Sequence, residues 1–337
     1  MSRHQTVQLA HGGGGRLSRE LLEHLVLPAF GPPGGGERHD SATLEVGEGR
    51  LAFTTDSYVV HPRFFPGGDI GKLAVFGTVN DLAMAGARAR WLSVGFILEE
   101  GLALKELAQV AASMRTAAET CGVALVTGDT KVVDRGKGDG LFINTSGVGV
   151  VAPGRKLAPK KVQPGDAVLV SGDMGRHGIA VLTAREGLEF ENPVESDCAP
   201  LGSLVEALLV AGVEVHCLRD PTRGGLASVL NEIALDAGVA MEVDESAIPV
   251  HEGVAGACEV LGLDPLYVAC EGRVVAFVPE GEAQRALEAL RAHPQGRGAA
   301  KIGRVTHAPQ GLVALRTRLG GTRALDFLSG EQLPRIC

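Results

Sequence analysis

The chain of 337 residues has few aromatic side chains, 4% of the total, and no apolar run near the roughly 18 residues that a membrane helix needs. It also lacks an excess of positive charge, because 32 Lys and Arg against 40 Asp and Glu leave a net charge of −8. Such a chain is a poor binder of nucleic acid. The polar start over residues 1–8 does not resemble a signal peptide. We therefore expect a cytoplasmic protein that binds neither nucleic acid nor membrane.

Metal-binding cysteine spacing is absent as well. The six cysteines lie at positions 121, 198, 217, 258, 270 and 337, and no two are closer than the 12 positions between Cys258 and Cys270. This excludes C-x-x-C zinc and cluster motifs, and a disulfide framework is not expected in so long a chain without a secretory signal. Five cysteines stand in apolar surroundings, which predicts small core residues. Cys337, the last residue, needs a separate explanation.

What is present predicts a globular protein of two domains. Apolar residues make up 45% and charged residues 21%, and most of the 47 glycines stand singly between periodic segments. Strands alternate with helices in each half, which indicates an α/β fold with α+β layers. Residues 152–165 hold three prolines and four basic residues and mark the boundary. We predict domains over 1–152 and 166–321 and an extended, mobile tail over 322–337.

The hydrophobic periodicity gives the individual elements. In the first half it predicts strands over 51–60, 91–98, 124–127 and 141–151 and helices over 72–85 and 104–120, with Gly122 as a helix cap. In the second half it predicts strands over 167–171, 213–218, 240–243, 266–269 and 273–278 and helices over 201–211, 225–237, 253–261 and 282–293. The pattern leaves open whether the sheets are parallel or mixed.

Acidic residues in short polar stretches are the first candidates for chemistry. Asp56, Asp81 and Asp129 stand in what we predict to be turns after strands or before helices, and Asp40 is a possible fourth. Each alone is most simply a cap or turn residue. Carboxylates gathered in one domain repel one another unless a cation lies between them, and Mg²⁺ with phosphate oxygens is the usual solution. The set therefore suggests a metal–phosphate site.

Four further features have two interpretations each. The loop H-G-G-G-G-R at 11–16 precedes an amphipathic stretch, so its glycine amides either cradle phosphate or form a hinge. The turn R-D-P-T-R-G-G at 219–225 is a second phosphate or dimer contact, or a structural turn with an Asp–Arg pair. Glu271 is a base near an active site or a solvated hairpin carboxylate, and its position favours the latter. Cys337 is a nucleophile on a flexible arm or an incidental terminal residue.

Taken together, these segments resemble the HypE family, the carbamoyl dehydratases of [NiFe]-hydrogenase maturation. The matching motifs are H-G-x-G-G at 11–15, T-T-D-S-Y-V-V at 54–60, G-K-L-A-V-F-G-T-V-N-D-L at 71–82, G-F-I-L-E-E-G at 95–101, G-D-T-K-V-V at 128–133, D-P-T-R-G-G at 220–225 and the terminal P-R-I-C. The resemblance covers about residues 7–337. The internal motifs are shared with aminoimidazole ribonucleotide synthetase and selenophosphate synthetase, whereas the terminal P-R-I-C is specific.

The resemblance implies a two-domain, PurM-like ATP-binding fold that forms a homodimer through the sheet of its first domain. It implies Mg²⁺ on Asp56, Asp81 and Asp129, with Asp40 less firmly placed because the superfamily often has D-D where this chain has His39-Asp40. It implies ATP near those three aspartates and near Gly13, Gly14, Lys72, Asn80 and Lys131.

The resemblance also implies a reaction and partners. HypF loads a carbamoyl group on Cys337, ATP activates the group, and its dehydration gives a thiocyanate whose cyanide passes to iron on a HypC–HypD complex. Cys337, Glu271 as base and Lys131 beside the phosphates are the expected catalytic residues. We further expect the tail to exchange between docked and free positions with nucleotide.

Two alternatives remain at this point. Another synthetase of the superfamily, such as selenophosphate synthetase, needs a reactive residue in its N-terminal loop, and the first cysteine here is Cys121, in a predicted helix. A non-enzymatic dimeric scaffold would use the C-terminus as a docking peptide.

Overall fold

The computed structural model describes residues 16–21, 42–46, 49–188, 190, 193–328, 333 and 336–337. The first unit contains helix α1 (Arg16–Leu21), strands β1 (Ala42–Val46), β2 (Gly49–Tyr58), β3 (Phe64–Phe65) and β4 (Gly68–Asp69), helix α2 (Ile70–Met84), strand β5 (Ala87–Glu99), helix α3 (Leu104–Cys121), and strands β6 (Ala124–Val133) and β7 (Leu141–Val151). The predicted Gly13, Gly14 and Asp40 lie outside the described residues.

Five of these strands form one sheet in the order β1-β2-β7-β5-β6. Its pairs are antiparallel except β5 with β6, which is parallel. Side chains alternate between two faces along each strand. One face is covered by α2 and α3, and its buried side chains include Ala52, Tyr58, Leu92 and Ile143. The opposite face, here called the open face, exposes Phe53, Trp91, Ile97 and Val150.

The two helices of this unit differ in how they are buried. Asp69 caps α2, since its side chain accepts hydrogen bonds from the backbone N–H groups of Gly71 and Lys72. Nearly every residue of α2 is buried because the helix lies between the first sheet and the second unit. The helix therefore buries more than the single apolar face that hydrophobic periodicity predicts. α3 is amphipathic and ends at Gly122, whose φ of 62° is left-handed.

The second unit begins after a short 3₁₀ turn at Pro159–Lys161. It contains β8 (Asp166–Val170), α4 (Arg176–Glu186), α5 (Gly202–Val210), β9 (Cys217–Arg219), α6 (Gly225–Ala237), β10 (Ala240–Asp244), α7 (Glu252–Leu261), β11 (Val275–Pro279), α8 (Ala283–Ala292), β12 (Ala300–Thr306), β13 (Val313–Arg316) and β14 (Thr322–Ala324). Seven of the described strands form a sheet in the order β14-β13-β10-β12-β8-β11-β9. The sheet is mixed, because β10 pairs with β13 in parallel and the other pairs are antiparallel.

Several sequence expectations for the second unit are wrong. The strand expected over 266–269 is a 3₁₀ turn at Pro265–Tyr267, started by Pro265 and capped by Asp264. Helix α4 and strands β12, β13 and β14 were not predicted. β14 pairs with β13, so residues 322–324, expected to begin the tail, belong to the second sheet. Leu325 is also buried in the core of this unit.

Among the described residues, no helix is both long and apolar enough to cross a membrane.

Candidate active site at the chain terminus

The end of the chain lies between the two units. A main-chain oxygen of Cys337 accepts a hydrogen bond of 3.4 Å from the backbone N–H of Val59, just after β2. The carbonyl oxygen of Ile336 lies 2.5 Å from Nε2 of His177, in the first turn of α4. The Ile336 side chain is buried in the core of the first unit, and Cys337 packs against the same core. Residues 336–337 are thus docked in this structure.

Three acidic side chains act on Cys337. Burial raises the pKa of its thiol, the positive charge of Arg223 opposes this, and the charges of Glu271, Asp56 and Asp220 raise it further. Asp56 lies in β2, whereas Asp220 and Arg223 belong to the turn between β9 and α6. The pKa of the Arg223 guanidinium is raised, first by Cys337. A resting thiol in this place is therefore neutral, and Arg223 is the group that favours its thiolate.

Glu271 is the most constrained of these acids. It is only 3% exposed, and its Oε1 has no hydrogen-bond partner among the residues described. Burial raises its pKa well above the ordinary value, with the charges of Asp220, Asp56 and Asp197 adding to this and Arg223 opposing it. The solvated hairpin carboxylate that its sequence position favoured is wrong. A buried carboxyl of raised pKa next to a nucleophile has the properties of a general acid or base.

Tyr58 lies in β2 and is buried on the helix-covered face beside this site. Its hydroxyl lies 3.3 Å from Oγ1 of Thr78, and burial raises its pKa, with Asp56 and Asp81 adding to the effect. The same hydroxyl explains a glycine in α2, because a Cβ at position 77 would lie 2.3 Å from it. The tyrosine therefore fills the space between the strand and the helix.

Asp81 and Asn80 lie within α2, not in a turn. Asp81 accepts a hydrogen bond of 2.8 Å from Oγ1 of Thr54, which orients it toward β2. Asn80 is buried, its Oδ1 accepts from Leu201 N–H at 2.7 Å, and its Nδ2 donates to the carbonyl of Ala199 at 3.1 Å. A longer contact of 3.4 Å reaches the carbonyl of Glu271. Asn80 thus joins the two units, and any contact with phosphate would require one of these bonds to break.

Asp129 and Lys131 lie on the other face of the sheet. Both are within β6, which continues through the predicted turn, and the register puts Asp129 beside Gly95 and Lys131 beside Ile97 on the open face. Asp56 points to the helix-covered face, three strands away. The expectation that one domain gathers these carboxylates is therefore not met within a single chain. No three His, Cys, Asp or Glu side chains of the described segments form a metal site.

Lys72 is close to a different part of the site. It is half-buried in the first turn of α2, and its charge lowers the pKa of Cys198, which burial and the charges of Glu271, Asp197 and Asp69 raise. Cys217, Cys258 and Cys270 are buried as expected, whereas Cys198 and Cys121 are half-buried. Burial raises the pKa of Cys121 to about 12, so this thiol is a poor nucleophile.

Asp220, His177 and Asp197 were not predicted as site residues. Asp220 stands inside the quoted D-P-T-R-G-G motif, where only the arginines were considered, and its burial was the missing information. His177 and Asp197 belong to no local motif, since α4 and the segment after it approach the tail only in the folded chain.

The donor set suits a hard cation and a polyphosphate. Asp56, Asp81, Asp220 and Glu271 offer oxygen ligands, the chemistry that Mg²⁺ prefers. Burial raises the pKa of Glu271, and the charges of Asp220 and Asp56 raise it further; a divalent cation would relieve this repulsion. Arg223 supplies positive charge near Glu271, and Lys72 supplies positive charge near Cys198.

Family models and individual proteins of known sequence are similar to this chain over most of its length. Residues 38–151 match the N-terminal domain of AIR synthase related proteins, and residues 163–315 match their C-terminal domain. Carbamoyl dehydratase HypE of Azotobacter vinelandii is 54% identical over 335 residues, 99% of this chain and 98% of that protein.

Two solved structures are similar over nearly the whole chain. A hydrogenase maturation protein HypE in complex with ATP has a TM-score of 0.83 at 50% identity and covers 98% of this chain and 100% of its own. A chain of a HypE–HypF complex has a TM-score of 0.86 at 46% identity, with coverage of 91% and 99%.

Proposed function

This chain belongs to the HypE family of carbamoyl dehydratases, and from this membership and the surroundings of Cys337 we propose that it converts a carbamoyl group on its own terminal thiol to a thiocyanate with ATP. The observation that carries the proposal is the docked C-terminus, which puts the only cysteine at the end of the chain among Glu271, Asp56, Asp220 and Arg223. An incidental terminal residue has no reason to occupy a buried acidic cluster.

The proposed reaction removes one oxygen and two protons from the carbamoyl group. Its oxygen attacks the terminal phosphoryl group of ATP, because an amide oxygen leaves readily only as phosphate. Loss of both N–H protons then forms the C≡N bond while the C–O bond breaks, giving S-cyanocysteine, ADP and phosphate. Glu271 is the proposed base: its charge acts on the Cys337 thiol, and its raised pKa makes its ionised form a stronger base than an exposed glutamate.

Cationic side chains have separate proposed roles. Arg223 balances negative charge that develops at the thiocarbamate, since its guanidinium already acts on Cys337. Lys131, with Asp129, lies on the open face and reaches phosphate only if that face contributes to the nucleotide site. When bound, Mg²⁺ on Asp56 and Asp81 would supply charge neutralisation of the phosphates.

A homodimer through the open face would explain this arrangement. The open face presents four large apolar side chains, of which Trp91 is 47% exposed; they are Phe53, Trp91, Ile97 and Val150. β6 is an edge strand with no second neighbour among the described strands, and an edge of this length is normally covered. Pairing two copies would bury the face and could bring Asp129 and Lys131 of one copy to the acidic cluster of the other.

The proposed partners follow from the chemistry at the tail. A HypF protein loads the carbamoyl group, as the solved HypE–HypF complex suggests, and a HypC–HypD complex receives the cyanide. The tail must leave its docked position for both transfers.

ATP turnover tests the proposal against the scaffold alternative. The protein is mixed with ATP and Mg²⁺ before and after carbamoylation by HypF and carbamoyl phosphate, and ADP is measured. The enzyme should form one ADP per carbamoylated Cys337 and little without it, and Cys337→Ala should form none above background. Equal ADP formation with and without the carbamoyl group would contradict the proposal, and no ADP in either case would favour a scaffold.

A further inference from the structure

His177 is fully buried and joins the tail to the second unit through both ring nitrogens. Nε2 lies 2.5 Å from the carbonyl oxygen of Ile336, and Nδ1 lies 2.8 Å from Oγ of Ser196. The same Oγ accepts a hydrogen bond of 3.0 Å from the backbone N–H of Cys198. The ring also packs edge-on against Phe65, with 5.3 Å between ring centroids.

These contacts determine the direction of each hydrogen bond. A carbonyl oxygen can only accept, so Nε2 of His177 carries the proton and donates to Ile336. Burial lowers the pKa of His177, although the hydrogen bond to Ile336 and the charge of Asp197 oppose this. The lowered pKa favours the neutral ring. In the neutral ring Nδ1 accepts, so the Ser196 hydroxyl donates to it while accepting from Cys198. Ser196 thereby holds the tautomer that binds the tail.

The bond is to the backbone of the residue before the carrier cysteine. Ile336 and Cys337 are held through consecutive main-chain oxygens, one by His177 in the second unit and the other by Val59 in the first. Leu333 packs at the same place, because a Cβ on Gly178 would lie 3.1 Å from its Cδ1. Two backbone bonds on neighbouring residues leave the thiol little freedom relative to Glu271.

We propose that His177, oriented by Ser196, is a positioning residue that docks the Ile336 carbonyl and so sets the fraction of time that the loaded Cys337 thiol spends beside the acidic cluster. This inference rests on the proposed function for its effect on rate, but docking itself is independent of the reaction. Because His177 binds the backbone of Ile336, it holds the tail whether the Cys337 thiol is free, carbamoylated or cyanated.

The first measurement is the accessibility of Cys337 without any substrate. The parent, His177→Leu and His177→Gln are treated with iodoacetamide, and alkylation of the terminal peptide 332–337, released by cleavage after Glu331, is followed by mass. His177→Leu should react roughly five- to tenfold faster, the effect of losing one buried neutral hydrogen bond. His177→Gln retains an N–H donor and should fall between the two. Ser196→Ala should also raise the rate.

The second measurement is the single-turnover rate of dehydration after carbamoylation. His177→Leu should be slower, but by a smaller factor than its alkylation is faster, because a tail that is docked most of the time loses only part of its docked fraction when the docking equilibrium weakens. Carbamoylation by HypF should be retained, and His177→Gln should rescue the rate in part. His216→Gln is the matched control, since His216 is a buried histidine bonded to Asp166 far from the tail. It should change neither rate.

The outcomes separate the two hypotheses. Unchanged alkylation of Cys337 in folded His177→Leu, or equal acceleration in His216→Gln, overturns the positioning role. If alkylation changes as expected but the carbamoylated parent loses no water with ATP, the docking contact stands and the proposed function fails.

Discussion

Neutralising Asp220 should stabilise the protein above pH 6, and the structure gives the size of the effect. The Asp220 side chain is 6% exposed, close to Asp56, and has both Arg219 and Arg223 nearby. Arg219 is already paired with Glu232 at 2.9 Å. Burial raises the pKa of Asp220 from 3.8 to about 6, the arginines oppose the rise and Asp56 adds to it. Ionising this group in the folded protein is therefore unfavourable.

The sign follows from proton binding. Between pH 4 and 6 the folded state holds more protons on Asp220 than the unfolded state does, so the free energy of unfolding falls as pH rises through this range. With about 1.4 kcal/mol per pKa unit, the cost reaches about 3 kcal/mol near pH 8 and about 1 kcal/mol near pH 4.5. Asp220→Asn removes the charge and with it the cost.

Thermal unfolding of both proteins at several pH values, without nucleotide or Mg²⁺, tests this. The midpoint of Asp220→Asn should exceed that of the parent near pH 8, and the difference should shrink steadily toward pH 4.5. Asp134→Asn, at an exposed position, is the control and should change the midpoint only slightly. A lower midpoint for Asp220→Asn at pH 8, or a difference that grows toward acid, would refute the account of the acidic cluster.

Three further predictions concern the base, the metal site and the open face. Glu271→Gln should lower the single-turnover dehydration rate by roughly 10²-fold or more while carbamoylation continues. In the parent this rate should rise with pH through a midpoint above that of an ordinary glutamate, because the pKa of Glu271 is raised. A wild-type rate in the variant would remove Glu271 from the mechanism. Asp81→Asn should weaken Mg-ATP binding by roughly tenfold in calorimetry, since it removes one charged ligand; binding as tight as in the parent would exclude Asp81 from the site. Trp91→Glu should give a monomer in analytical ultracentrifugation, whereas Val260→Glu, which changes an exposed apolar residue of α7, should not; an unchanged dimer, or a parent that is itself monomeric, would reject the open face as the interface.

Sequence periodicity predicted α3 and β7 well because each of them has one buried and one more exposed face. The helix expected over 104–120 is α3, and the strand expected over 141–151 is β7 with the same bounds. Helix α4 was missed for the opposite reason. Its residues 177–181 are all buried, so the first half of the helix has no polar face that would reveal a helical period.

The turn predicted around Asp129 was wrong because a glycine can also serve the close approach of two strands. Gly128 suggested a turn, but it lies within β6, where a Cβ would come 2.3 Å from the carbonyl oxygen of Val94. The glycine is required by the close approach of two strands near a bulge in the β5–β6 pair, which no local pattern records.

The sequence motifs of the candidate site could be predicted, but which of their residues the fold brings together could not. Asp56, Asp81 and Glu271 were identifiable by residue type and resemblance, whereas their faces depend on register and on how the two units pack. Burial of Glu271 and Asp220 follows from contacts between segments far apart in sequence. The docked position of residues 336–337 depends on His177 and Val59, which sequence reasoning did not connect with the tail.

The central claim is that Cys337 carries a group which this protein dehydrates, and the mass of the terminal peptide tests it most directly. The protein is incubated with HypF and carbamoyl phosphate, then with ATP and Mg²⁺, and the peptide 332–337 is measured after each step. We expect the peptide to gain one carbamoyl group in the first step and to lose one water in the second, with no change in Cys337→Ala. A carbamoyl group on another residue, or a loaded peptide that keeps its water in the presence of ATP, would contradict the claim.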